Sequence, residues 1–228
     1  MQEILNNEVV MDDEERESID TARVSFLIGY YDYTVVLTYL GMLTGFIGIA
    51  LAMAGKFDRA VLCLMVSGVC DMFDGAVAST KMRTKKEKRF GVQIDSFSDL
   101  LCFGVLPAVI TFGMVHRRVI GMTICGLYVL CALIRLAYFN VDEEERQDKT
   151  NERRTWYLGV PVTTIALIYP IFFNFFAGVG KFLALLIVMG MAFLLPVKIR
   201  KPHIFGKTLM CIIGLLTLIQ LVSGMIIL

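Results

Sequence analysis

Charge is scarce in this chain. Of its 228 residues, 19% are charged and 57% hydrophobic, and the mean hydropathy is +0.69. A soluble globular domain carries about 25% charge and a smaller apolar share, so that class is excluded. The net charge is only +1, which gives no support for a nucleic-acid partner. Cysteine- and histidine-based metal signals and disulfide signals are missing too. No two of the six cysteines form a C-x-x-C pair, and neither of the two histidines sits beside one. A zinc-type site or disulfide framework is therefore not indicated. Cys63, Cys70, Cys102, Cys125, Cys131 and Cys211 read as small apolar residues inside apolar stretches. His116 and His203 read as solvated or interfacial. No basic segment followed by an apolar core opens the chain, so no cleavable signal peptide is expected. No internal repeat is visible, which weighs against an inverted-repeat transporter.

What is present is apolar length. A bilayer-spanning helix needs about 20 largely apolar residues. Stretches of this kind fall at 34–54, 59–79, 94–115, 119–139, 161–176, 180–197 and 207–228, with mostly short loops between them. The expected fold is an all-α integral membrane protein, a helical bundle of about seven (six to eight) transmembrane helices. Residues 1–23 form an acidic flexible tail (Glu3, Glu8, Asp12, Asp13, Glu14, Glu15, Glu17, Asp20), and 24–228 a single transmembrane domain. Residues 24–33 are rich in aromatics and suit the membrane interface. With the N-terminus placed in the cytoplasm, sixteen of the 22 lysines and arginines fall on the inner side and five on the outer. That asymmetry sets tail and long loops inside. The remaining base, Arg135, lies within a span.

Four aspartates escape this sorting. Asp71 and Asp74 stand at i and i+3 near the inner end of the second span, and Asp95 and Asp99 at i and i+4 at the start of the third. Each pair shares a helix face, and the two helices are antiparallel neighbours, so four carboxylates can converge. An aspartate at mid-bilayer costs about 2.5–3.5 kcal/mol, and clustered carboxylates repel. Bound divalent cations are the natural compensation, and oxygen-only ligands favour Mg²⁺, Mn²⁺ or Ca²⁺ over zinc. Gly68, Gly75 and Ala78 leave the same region without bulk. That permits either close helix packing or the approach of a nucleotide. The basic run at 81–89 serves either inside topology or attraction of a phosphate. Arg135 reads as a structural ion pair or as a contact for a carboxylate or lipid phosphate. Asn140 reads as an amide donor or a helix-end cap.

Residues 70–99 read CDMFDGAVASTKMRTKKEKRFGVQIDSFSD. This segment resembles the signature of the CDP-alcohol phosphotransferase family, D-x-x-D-G-x-x-A-R…G-x-x-x-D-x-x-x-D. Asp71, Asp74, Gly75, Ala78, Gly91, Asp95 and Asp99 match it. Ser79 stands where the family has arginine, and eleven residues separate it from Gly91, more than the pattern has. Lys81 and Arg83 are the candidates to replace that arginine. Further segments are similar to the membrane-embedded phosphatidylserine synthase branch: IDSFSDLLCFGVLPA at 94–108, ALIRLAYFN at 132–140, YLGVPVTT at 157–164 and VKIRKPHI at 197–204.

The resemblance implies transfer of a phosphatidyl group from CDP-diacylglycerol to L-serine with release of CMP, at a cell-membrane site facing the cytoplasm, in a homodimer among membrane lipids. It implies Mg²⁺ or Mn²⁺, two ions, held by Asp71, Asp74, Asp95 and Asp99, with Asp99 as general base. Thr38, Gly75, Ala78, Lys81, Arg83, Gly91, Arg135 and Asn140 are the expected substrate contacts. Rival readings are a different acceptor (inositol phosphate, glycerol phosphate or choline), a cation or proton transporter, which the D-G-x-x-A spacing disfavours, and a catalytically silent scaffold.

Overall fold

A computed structural model describes residues 29–31, 33–81, 83–115, 118–149, 156–175, 178–200 and 204–227. The acidic tail at 1–23 and both histidines lie outside the described residues. The chain runs through α1 (Tyr33–Met53), α2 (Phe57–Ala78) and α3 (Lys85–Asp99), then a π-helical stretch at Leu100–Val105 that continues into α4 (Leu106–Met114). Next come α5 (Arg118–Lys149), strand β1 (Trp156–Leu158) and a 3₁₀ turn at Val162–Thr164. Helices α6 (Ile165–Phe175) and α7 (Val179–Leu194), strand β2 (Lys198–Arg200) and helix α8 (Ile204–Ile227) complete it. Each expected span falls on a helix, the third on α3, the π stretch and α4 together. Four segments, Tyr33–Met53, Phe57–Ala78, Lys86–Met114 and Val119–Arg146, are long and apolar enough to cross a membrane. Shorter apolar segments follow at Val162–Phe175, Gly180–Leu194 and Ile212–Ser223. The protein is an all-α integral membrane bundle.

Helix α1 shows how a membrane helix is sorted by size rather than polarity. Leu40, Leu43, Phe46 and Ile47 are exposed on one side, whereas Gly41, Gly45, Gly48 and Ala52 are buried on the other. Small residues let neighbouring backbones approach without a hydrophobic driving force. A Cβ at Gly41 would lie 3.2 Å from Cys70 Cβ, one at Gly45 2.5 Å from Cys102 Sγ, and one at Gly48 2.9 Å from Cys63 Cβ. The same seam carries hydrogen bonds. Ser67 Oγ donates to the Gly41 carbonyl at 3.0 Å, and Cys102 Sγ donates to it at 3.4 Å. The helix stops at Gly55, whose φ of +75° is the left-handed conformation glycine favours. Its N–H bonds back to the Ala52 carbonyl and that of Lys56 to the Leu51 carbonyl, at 3.0 and 2.9 Å. On the opposite side of α2 and α4 lies the larger core. Leu64, Phe103, Ile110, Ile165 and Leu186 are essentially inaccessible there.

Three local features differ from expectation. The third span begins at Lys85, not 94, so most of the basic run is helix. Thr84 and Glu87 form a capping box: Thr84 Oγ1 accepts from the Glu87 N–H at 3.2 Å, and Glu87 accepts from the Thr84 N–H at 2.8 Å. These reciprocal bonds satisfy two amides at the helix start. Helix α5 continues to Lys149, past the apolar span, with Arg146 Nη2 on Glu143 Oε1 at 2.6 Å. Lastly, β1 and β2 pair antiparallel, with Trp156 opposite Arg200 and Leu158 opposite Lys198. The five cysteines with described side chains are free thiols, Cys102 and Cys125 buried and the other three partly so.

Candidate active site and metal centre

The last turns of α2 and the last turns of α3 bring the aspartates together. Asp71, Asp95 and Asp99 each offer one carboxylate oxygen, and these oxygens lie within 4.8 Å of one another. Asp74 lies outside this group of three. Helix α1 completes the arrangement. Thr38 Oγ1 donates to Asp74 Oδ2 at 3.3 Å, while the Thr38 carbonyl accepts from Ser98 Oγ at 3.4 Å. One buried residue thus joins α1 to both acid-bearing helices. All four aspartates are partly buried, where repulsion between ionised carboxylates is weakly screened. A divalent cation held there would relieve that repulsion. The donor set of clustered oxygens fits Mg²⁺ or Mn²⁺.

The small and basic residues of the signature separate into distinct places. Gly75 is exposed, with no atom within 4 Å of where its Cβ would be, so the backbone beyond Asp74 is open. Ala78 is the final residue of α2. Ser79 caps that helix, its Oγ donating to the Ala76 carbonyl at 2.7 Å. Lys81 Nζ pairs with Glu87 Oε1 at 3.1 Å, which commits it to the α3 cap. Arg83 does something different. Its Nη1 lies 3.0 Å from the position a Gly91 Cβ would take. Gly91 stands four residues before Asp95, one turn along α3. The Arg83 guanidinium therefore lies about one helical turn before Asp95.

Arg135 is buried, 6% exposed, with its guanidinium carbon 5.4 Å from the Phe139 ring centre. Gly159 packs against it. A Cβ there would lie 3.2 Å from both Arg135 Nε and the Phe193 carbonyl oxygen, and φ is +82°. Closeness and conformation both demand glycine. The Gly159 N–H donates to the Val197 carbonyl at 2.7 Å, so the β1–β2 ribbon fixes this contact. Asn140 is not a helix-end cap, because α5 continues past it. Its Oδ1 accepts from Ser96 Oγ at 2.7 Å and its Nδ2 donates to Gln93 Oε1 at 3.5 Å. Asn140 thereby ties α5 to α3 one residue from Asp95. Thr84, Glu87, Ser96, Ser98 and Gly159 were not singled out from the sequence. Only the first two carry a local signal, the T-x-x-E spacing of a capping box.

Comparison with known proteins agrees with this geometry. Residues 34–218 match the family model for CDP-alcohol phosphatidyltransferase. The chain is 32% identical over 142 residues to a CDP-diacylglycerol–serine O-phosphatidyltransferase of Saccharomyces cerevisiae, covering 57% of this chain and 50% of that protein. It is 28% identical over 181 residues to a protein of the same description from Helicobacter pylori strain J99, covering 75% and 70%. It is also 34% identical over 107 residues to an archaetidylserine synthase of Methanothermobacter thermautotrophicus, covering 46% of each. The match thus spans half the length of the yeast relative and more of the Helicobacter one. With the family model reaching from α1 into α8 and the aspartates of its signature gathered between α2 and α3, the chain belongs to the CDP-alcohol phosphatidyltransferase family.

Proposed function

We propose that this protein is a CDP-diacylglycerol–serine O-phosphatidyltransferase. The observation that best supports this is the convergence of Asp71, Asp95 and Asp99 oxygens within 4.8 Å, and the descriptions of the yeast and Helicobacter relatives supply serine as acceptor. Asp99 takes the proton of the serine hydroxyl. The serine oxygen then bonds to the β-phosphorus, and the bond from that phosphorus to the CMP oxygen breaks. Asp71, Asp74, Asp95 and Asp99 would hold two Mg²⁺ or Mn²⁺ ions, which when bound neutralise diphosphate charge and stabilise the departing oxygen. Gly75, Ala78 and Gly91 let the nucleotide approach the backbone, and Thr38 orients Asp74 beside it. Arg135 meets the serine carboxylate or a lipid phosphate, with Asn140 holding α3 in place. The lysine and arginine asymmetry supports a site facing the cytoplasm, in the cell membrane. A homodimer is carried from the family resemblance alone.

The test is CMP release from CDP-diacylglycerol by purified protein with Mg²⁺ or Mn²⁺, comparing L-serine with inositol phosphate, glycerol phosphate and choline. Release with serine alone is expected. Release only with another alcohol would replace the acceptor, and release with none would remove the enzyme reading.

Arg83 rather than Lys81 is proposed to fill the place of the signature's missing arginine at the diphosphate. A guanidinium on phosphate forms strong charge-assisted bonds. Arg83→Ala is expected to raise KM for CDP-diacylglycerol about tenfold, Lys81→Ala to leave it near the parent value, and Ser79→Arg to restore it in the Arg83→Ala background. Parent-like kinetics of Arg83→Ala would show that the diphosphate is held elsewhere.

A further inference from the structure

The third span meets two demands that one straight helix does not satisfy. Its first half presents Asp95 and Asp99 to α2 and Ser98 to α1, and its second half buries Leu106 and Ile110. Ser98, Cys102 and Leu106 all face α1. Ser98 and Cys102 donate to the Thr38 and Gly41 carbonyls at 3.4 Å each, and Leu106 Cδ2 lies 3.0 Å from the Gly48 Cβ position. Two successive four-residue steps drift about 80° around an α-helix. The π-helical stretch absorbs this drift by widening the turn. It begins at Leu100, directly after Asp99, and the Leu106 N–H bonds five residues back to Leu101.

Two residues account for the wide turn. Pro107 lies in the first turn of α4 and has no N–H to donate to the Phe103 carbonyl four residues earlier. Tyr128, on α5 and 2% exposed, supplies a donor instead: its hydroxyl gives a 2.6 Å hydrogen bond to that carbonyl. We propose that Tyr128 is a positioning residue for the metal centre, its hydroxyl holding the π turn that sets Asp99 against Asp71. The inference rests on the reading of the aspartates as metal ligands. Tyr128 acts through the Phe103 carbonyl.

Mn²⁺ binding to the detergent-purified full chain, followed by the free-ion electron paramagnetic resonance signal without substrate, tests it. Tyr169→Phe is the control. It also deletes a buried phenol hydroxyl, here bonded to Thr111 Oγ1 at 2.9 Å rather than to the Phe103 carbonyl. Tyr128→Phe is expected to weaken Mn²⁺ binding about tenfold, as loss of outer-shell support does. Tyr169→Phe should lower the melting temperature comparably and leave Mn²⁺ affinity unchanged. Pro107→Ala, which restores the amide and lets the segment close as α-helix, is also expected to weaken Mn²⁺ binding, and covers the case in which Tyr128→Phe does not fold. Parent-like affinity of whichever of these two variants folds, or equal weakening by Tyr169→Phe, would overturn the proposal. If the parent itself bound no Mn²⁺, or Asp99→Asn bound it as the parent does, the metal reading would fail instead.

Discussion

Asp99→Asn is expected to lower kcat for CMP release about a thousandfold, within the range that general acid–base groups contribute. The substitution preserves size and one carbonyl oxygen, so it perturbs packing little, but an amide does not accept the serine proton. Asp99 has two proposed duties, base and ligand, and one titration separates them. A residue acting only as ligand loses ion affinity, and excess Mn²⁺ restores turnover. A residue acting as base stays impaired at every Mn²⁺ concentration. The expected result is a kcat that remains low at saturating Mn²⁺, with KM for serine changed by less than about threefold, since an interaction made mainly in the transition state lowers kcat and kcat/KM together. Parent-like turnover at saturating Mn²⁺ would remove Asp99 from the proton-transfer role. Asp71 bears on the choice because one of its carboxylate oxygens lies within 4.8 Å of one of Asp99. If Asp71→Asn, rather than Asp99→Asn, showed the loss that metal does not restore, the base would be Asp71.

How much of this was legible in sequence depends on the range of the interaction. The aspartate pairs were legible because i,i+3 and i,i+4 spacing fixes a helix face locally, and the two helices are joined by a connector of only a few residues. Helices α1, α2 and α4 to α8 were legible because apolar length is itself the signal in a membrane. Their ends were less so. The α3 start follows from Thr84 and Glu87, a local pattern hidden inside a charge run that also suits topology. The Trp156–Leu158 and Lys198–Arg200 ribbon was not legible, since three-residue strands carry no alternation and their pairing spans two intervening helices.

The roles of Lys81 and Arg83 were open in sequence for a different reason. Both are cations in the same connector, and only the cap geometry tells them apart: Glu87 takes Lys81 at 3.1 Å, leaving Arg83 against Gly91. Gly91 itself was read as room for a nucleotide, and in the structure the side chain beside it is an arginine. The π turn behind Asp99 was equally hidden. Pro107 alone reads as a helix start, and the hydroxyl that bonds the Phe103 carbonyl comes from Tyr128 on another helix.

Gly45→Ala is expected to be the most damaging single methyl group added to the α1 seam. Its Cβ would fall 2.5 Å from Cys102 Sγ, closer than real contacts allow, whereas the next atoms of Cys102 stand at 3.5 Å, an ordinary separation. The clash is thus with sulfur alone. Cys102 is 1% exposed and has little room to turn away, so α1 must shift, at about 2 kcal/mol, the usual cost of overpacking. The shift reaches the site, because Gly45 lies two turns from Thr38, whose hydroxyl and carbonyl hold Asp74 and Ser98. Turnover is therefore expected to fall along with the melting temperature. Cys102→Ala removes the offending atom and should be mild alone. Combined with Gly45→Ala it is expected to recover most of both losses, a coupling of about 1–2 kcal/mol in the double-mutant cycle. Simple additivity of the two single effects, measured by thermal unfolding in detergent, would mean that α1 is not seated on Cys102 as described and that the support for Thr38 comes from elsewhere along the seam.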